Sequence, residues 1–238
     1  MRGLWKAFTK QKAVTRNENL TFSQCGEDVV VDFLFKLLNI GPVSYLDLGA
    51  NDPVKFSNTY KFYLDGSTGV LVEPDRQLVE RISLTRPRDL CLAKAVSVTV
   101  DHEVDFYKMS ADTLSTTKKT TAERYQEETE HHLTSRVKVP AVHINSILAE
   151  FDRDFSFNFV SLDVEGLDLD ILQAWDFTRW RPAVFCIETL TYTQAGEAAK
   201  VSEIFKRMEE VGYRVYADSY INSIFVAGER FVPAQRQV

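Results

Sequence analysis

The sequence predicts an α/β domain, a mostly parallel sheet with helices on both faces. Three features lead there. Short apolar runs alternate along the chain with stretches whose apolar residues recur at three- and four-residue spacing, the pattern of strands joined by helices. The runs at 43–48, 69–72 and 157–162 carry an acid at or just beyond their C-terminal ends. The 238 residues, 45% hydrophobic and 26% charged, contain no internal repeat and no Pro/Gly/Ser linker. That suits one domain with a large core.

Residues 29–38 form a helix, because Val30, Phe33, Leu34, Leu37 and Leu38 share one face. Gly41 and Pro42 stop it. Residues 43–48 are the first strand. A loop and a helix at about 58–64 lead to the second strand, GVLV at 69–72, and a helix follows at 76–84. Residues 91–96 read as a third strand, and 104–107 as a strand beyond it. The rhythm breaks at 110–135, which is rich in Thr, Lys, Glu and His. This stretch reads as a mobile insertion with a helical part near 122–132, placed to act as an arm or acceptor lid. Then come a strand at 137–142, a helix at 144–150, a strand at 157–162, a helix at 167–175 and a strand at 183–187. A helix at 197–211 ends at Gly212, which accepts the left-handed cap conformation. Residues 213–217 and 223–227 finish as two antiparallel strands.

The expected organisation is a basic segment at 1–20 and one domain at 21–238. The net charge of −6 disfavours nucleic acid as a partner, since duplex-binding surfaces are basic. The exception is the N-terminus, where Arg2, Lys6, Lys10, Lys12 and Arg16 precede the first acid, Glu18. With Leu4, Trp5 and Phe8, residues 1–16 suit peripheral contact with an anionic membrane surface. A helix packed on the domain, or a tail, is the plainer alternative. No apolar run approaches the ~20 residues that span a bilayer, and no secretory core precedes the domain. Cys25, Cys91 and Cys186 lack metal or redox spacing and read as free thiols of a reducing cytosol. A cytoplasmic location follows as the expectation.

In open α/β sheets, ligands bind beyond the carboxyl ends of the strands. The first such loop runs Asp47-Leu48-Gly49-Ala50-Asn51-Asp52-Pro53. Gly49 allows a tight turn and close approach of a ligand. A G-x-G-x-x-G pyrophosphate cradle is absent, because Asn51 and Val54 occupy its later glycine positions. One glycine beside an acid suits a cofactor with a cationic amino-acid end, which Asp47 and Asn51 would position. The second loop opens with Glu73, whose carboxylate can accept both hydroxyls of a ribose. The third is Asp163-Val164-Glu165-Gly166. Its two acids can serve as general base, bind substrate or hold a divalent ion, or they can cap the helix that follows. Glu188, at the end of the next strand, could complete a metal site with Asp163. His143, before a helix, reads as a polar or capping residue. His131 and His132 read as solvated.

Five segments together resemble the FkbM family of methyltransferases. They are FSQCGEDVVVDFL (22–34), YLDLGANDPVKFSNTYKFY (45–63), GVLVEPD (69–75), SLDVEGLDLDIL (161–172) and RPAVFCIE (181–188). The resemblance covers roughly residues 20–228. It implies a Rossmann-like methyltransferase fold with a seven-stranded sheet, S-adenosylmethionine as donor and an O-methylated sugar, glycan or polyketide hydroxyl as product. It also implies that Asp47, Gly49 and Asn51 line the methionine end of the cofactor and that Glu73 binds its ribose. Ser57, Asn58 and Thr59 match the family's S-N-T run beside the cofactor loop. Gln24, Glu27 and Asp28 match its entry segment. Asp163 is the expected proton acceptor, with Glu165 positioning it or sharing a divalent cation. The alternatives are an NAD(P)-dependent oxidoreductase, which the missing glycines disfavour, and a cofactor-binding protein without chemistry.

Overall fold

The computed structural model describes residues 20–99, 103–191 and 199–231. The basic segment at 1–16 and the start of the helix expected at 197 lie outside these residues. In chain order the first elements are α1 (Glu27–Leu38), β1 (Ser44–Leu48), α2 (Tyr60–Leu64), β2 (Thr68–Val72), α3 (Arg76–Thr85), β3 (Leu90–Leu92), β4 (Ala95–Ser97), β5 (Glu103–Met109) and α4 (Lys119–Glu128). There follow β6 (Leu133–His143), α5 (Ile144–Phe151), β7 (Phe159–Leu162), α6 (Asp168–Ala174), β8 (Val184–Glu188), β9 (Leu190–Thr191), β10 (Ala199–Lys200), α7 (Ser202–Glu210), β11 (Tyr213–Asp218) and β12 (Asn222–Ala227).

Seven strands form the central sheet in the order β3-β2-β1-β7-β8-β12-β11. Pairing is parallel from β3 to β8. β12 runs antiparallel to both its neighbours, as expected for the last two strands. The chain moves outward from β1 to β3 and re-enters at β7 on the other side of β1. The carboxyl ends of β1 and β7 therefore flank the crevice where such sheets bind ligands.

Alternation along the strands builds two cores. Leu46, Leu48, Val70, Val72, Val160 and Leu162 pack with Ile147, Ile171, Leu172 and Met208 beneath α5, α6 and α7. Tyr45, Leu71, Phe159 and Cys186 face the opposite way, onto Leu34, Phe35, Phe62 and Ile82 of α1, α2 and α3. Asp47 follows Tyr45 on that second face by the same alternation. Gly69 is fixed by this packing, because a Cβ there would lie 2.2 Å from the Tyr45 ring.

The third strand expected at 91–96 is in fact two strands. β3 stays in the central sheet, the chain turns at Lys94, whose N–H bonds the Leu92 carbonyl (2.9 Å), and β4 enters a second sheet ordered β4-β6-β5. The apolar pattern carries no breaker at this turn, so alternation alone ran the strands together. β5 pairs antiparallel with the first part of β6, from Glu103 opposite Pro140 to Met109 opposite Leu133, and the last three residues of β6 pair with β4. The segment 110–135 is thus the connection of a β-hairpin. Its helix lies at Lys119–Glu128 rather than 122–132, and its last residues belong to β6. The described part of the helix expected at 197–211 is α7, preceded by the short strand β10.

Candidate active site

The loop after β1 folds back over β2, with the N–H groups of Gly49 and Ala50 bonding the Val72 carbonyl (3.0 and 3.2 Å). Gly49 has φ +83, and a Cβ there would lie 1.8 Å from the Asp163 carbonyl oxygen. The crossing of two backbone loops therefore demands this glycine, a tighter constraint than approach of a ligand. Asn51 also takes a left-handed backbone, φ +49, which aims its N–H at Glu73 Oε2 (3.0 Å). The Asp75 N–H bonds the other oxygen, Oε1 (2.7 Å). Each oxygen of Glu73 thus holds one backbone N–H and keeps a lone pair for a further donor. Burial pushes Glu73 up to about 7, while the Asp75 and Asn51 N–H groups pull the other way.

Behind the loop lies a buried network that sequence reasoning missed. Arg86, at the end of α3, is 1% exposed. Its Nε donates to Asp89 Oδ2 (2.7 Å), Nη1 to Ser57 Oγ (3.3 Å) and Nη2 to Thr59 Oγ1 (3.0 Å). The rings of Tyr45, Tyr60 and Tyr63 surround the guanidinium, their centroids 5.5, 5.8 and 5.4 Å away. Thr59 in turn donates to Asp47 Oδ2 (2.5 Å). Burial raises Asp47, and the Arg86 charge opposes that rise. Ser57 and Asn58 line the cavity described below, whereas the fully buried Thr59 is not among its lining residues. Asn58 donates to Ser161 Oγ (3.2 Å) and leaves its own Oδ1 buried without a partner.

The acids gather at the ends of β7 and β8. Asp163, Glu165 and Glu188 each offer a carboxylate oxygen, and these oxygens lie within 4.8 Å of one another. Burial raises all three, and neighbouring carboxylates add to it: Asp163 reaches about 7, and Glu165 and Glu188 sit well above the carboxylate range. Asp163 Oδ1 is buried without a hydrogen-bond partner. The helix-cap reading of Asp163 and Glu165 does not hold. Residue Leu167 is the α6 N-cap without a side-chain bond, and Asp168 takes the N–H groups of Val164 (3.1 Å) and Gly166 (3.2 Å). His143 caps α5 as expected, Nδ1 accepting from the Asn145 N–H (3.1 Å).

One cavity brings these groups together. Asp47, Gly49, Asn51, Ser57, Asn58, Glu73, Asp163, Glu165 and Glu188 all line it, with residues 112–117 of the hairpin connection as a further wall. The entry segment has a structural job here. Glu27 accepts from Ser219 Oγ (2.6 Å), Asn222 Nδ2 (3.0 Å) and the Cys25 N–H (2.8 Å). Asp28 accepts from Thr21, Ser23 and the Phe22 N–H. That knot ties the start of α1 to the β11–β12 turn and sets Gln24 and Asn222 in the cavity wall.

A domain model described as the methyltransferase FkbM domain matches residues 47–215, more than half of the chain. The chain belongs to the FkbM methyltransferase family. The match gives the chain a methyltransferase domain, carried on an α/β fold with a mostly parallel sheet. The FkbM match favours the leading methyltransferase reading over the alternative of a dinucleotide oxidoreductase. Curated proteins give no match. Among solved structures, monomeric WbdD aligns with a TM-score of 0.48 at 12% identity, covering 86% of this chain and 41% of that one. The chain thus spans about two fifths of WbdD. A TehB-like SAM-dependent methyltransferase from Corynebacterium glutamicum aligns at 0.41 and 10% identity, covering 85% and 87% of the two chains. A putative caffeoyl-CoA O-methyltransferase from Staphylococcus aureus aligns at 0.45 and 7%, covering 88% and 86%.

Proposed function

We propose that this FkbM protein methylates a hydroxyl group of a sugar, glycan or related small molecule. The observation that carries the reading is the single cavity shared by the cofactor loop, Glu73 and the acid cluster. Asp47, Gly49 and Asn51 would hold the methionine end of S-adenosylmethionine. Ser57 and Asn58 would line it, with Thr59 fixing Asp47 from behind. Glu73 would accept the ribose hydroxyls, beside an apolar slot of Pro74, Leu78, Ala95, Phe106 and Leu114 that suits a flat base. The buried orphan oxygen of Asn58 and the free lone pairs of Glu73 fit a ligand rich in N–H and O–H donors.

The cofactor supplies a methyl group already activated by its sulfonium. The protein's task is to align the hydroxyl and remove its proton. Burial and the crowding of three carboxyl groups favour a proton on Glu188, which sits well above the carboxylate range. With that proton on Glu188, Asp163 stays ionised, and its unpartnered Oδ1 is the acceptor. A group raised to about 7 is a stronger base than an ordinary carboxylate and still partly ionised at neutral pH. Amides from Gln24, Asn58 and Asn222, beside carboxylates, suit an acceptor rich in hydroxyls. A divalent cation is the second reading, because three carboxylate oxygens at this spacing could close around a hard ion.

The test is methyl transfer from labelled S-adenosylmethionine to a panel of nucleotide sugars, lipid-linked sugars and polyketide alcohols. Transfer to a sugar hydroxyl supports the proposal, and transfer confined to nitrogen or carbon acceptors refutes it. Activity that survives exhaustive chelation removes the ion. No helix among the described residues is long and apolar enough to cross a membrane. Peripheral contact through residues 1–16 is a separate proposal, tested by liposome sedimentation of a chain lacking them; unchanged binding refutes it.

A further inference from the structure

The hairpin connection between β5 and β6 reaches into the acid cluster. Tyr125 of α4 is 4% exposed and packs with Tyr107, Met109 and Ala122. Its hydroxyl donates to Glu165 Oε2 (2.5 Å). Thr116, earlier in the same connection, donates from Oγ1 to the Glu165 carbonyl (2.8 Å). Lys118 Nζ bonds the Gly166 carbonyl (3.0 Å) and Asp170 Oδ2 (2.9 Å). A Cβ on Gly166 would lie 2.8 Å from Thr121 Oγ1, so α4 rests directly on the turn. One segment thus grips Glu165 at its carbonyl and at its carboxylate.

Glu165 needs such a grip. Its φ of +53 lies in the left-handed region, which residues with a side chain rarely adopt. Its carboxyl group is also crowded by two others, with oxygens within 4.8 Å, so its place in the cluster depends on a hydrogen-bond partner. We propose that Tyr125 is a positioning residue of the methyl transfer: its hydroxyl holds Glu165 inside the acid cluster, so that the hairpin connection completes the active site from outside the central sheet. This rests on the acid cluster being the catalytic centre proposed above.

Tyr125→Phe removes the hydroxyl and keeps the ring. In a crystal structure of the full-length variant, the Glu165 carboxylate is expected to leave Asp163 and Glu188. An unmoved Glu165 overturns the proposal whether or not turnover has been found. In turnover, kcat is expected to fall about 10- to 100-fold, in the range of a misplaced catalytic group. The KM for S-adenosylmethionine and the melting temperature should stay near wild type. In a Glu165→Ala background, which removes the acceptor, Tyr125→Phe should cost nothing further, because both changes remove one interaction. Multiplicative losses, or a kcat within about twofold of wild type, overturn it. A wild-type protein without methyl transfer would refute the functional reading, while the crystal structure would still decide whether Tyr125 holds Glu165.

Discussion

Glu73 and Asp163 are both acids at strand ends, and burial pushes both to about 7, yet their surroundings assign them different work. Glu73 is fixed by two backbone N–H groups and can only accept more donors. Glu73→Gln is therefore expected to weaken S-adenosylhomocysteine binding by about 10- to 100-fold, the scale of a lost hydrogen bond to a charged group. Binding to the wild type should also weaken as pH falls below about 7, because protonated Glu73 loses acceptor strength. Asp163 instead keeps an oxygen free. Asp163→Asn should nearly abolish turnover and leave cofactor binding within a few-fold; wild-type turnover in that variant would remove Asp163 as the base. These acids were legible in the sequence because each follows an apolar run. Arg86 and Tyr125 were not. An arginine closing an amphipathic helix and a tyrosine in a charged insertion carry no local mark of burial, and Ser57, Thr59 and Glu165, which they bond, lie 27 to 40 residues away.

At the scale of elements, Arg86 joins α3 to the loop before α2 and, through Asp89, to β1 and β2. Asp89 accepts the Tyr45 hydroxyl (2.8 Å) and the Gly69 N–H (2.9 Å), and its side chain is fully buried. Arg86→Met would leave that carboxylate without its cation. Losing one partner of such a pair costs about 3–5 kcal/mol, and denaturant unfolding should show it as a lower midpoint with an unchanged slope. Adding Asp89→Asn should recover part of the loss. A midpoint within error of wild type would deny the network its structural role. The central strands were readable because continuous apolar runs bounded by turns have few other interpretations. The division of β3 from β4 was not, since the sheet a strand joins depends on β6, some 40 residues on. The insertion read as mobile because it has few large apolar residues. What anchors it is a small apolar cluster of Tyr125 and Ala122 on Tyr107 and Met109, together with polar contacts of Thr116, Lys118 and Tyr125 to the Glu165–Gly166 turn.

For the whole molecule, the buried acids make stability depend on pH. Glu73 and Asp163 at about 7 and Asp168 at about 6 lie above their unfolded values. Protonation of such groups favours the folded state, so their contribution is complete below the unfolded values near 4 and is lost as pH rises through 6 to 7. Lowered carboxylates such as Glu27 and Asp52 titrate below this window and leave it unaffected. The melting temperature without cofactor should therefore fall between about pH 5 and pH 8. A flat or rising profile would show that the acid cluster is relieved by a bound cation or by contacts beyond the described residues.

The central claim is that the crevice between the ends of β1 and β7 binds the S-adenosyl cofactor, with Glu73 on the ribose and Asp163 reserved for chemistry. Calorimetric titration with S-adenosylhomocysteine and with NAD, on the wild type, Glu73→Gln and Asp163→Asn, tests it most directly. The account predicts one-to-one binding of S-adenosylhomocysteine by the wild type and by Asp163→Asn, much weaker binding by Glu73→Gln, and no binding of NAD. NAD binding, or equal affinity of Glu73→Gln and the wild type for S-adenosylhomocysteine, would contradict it.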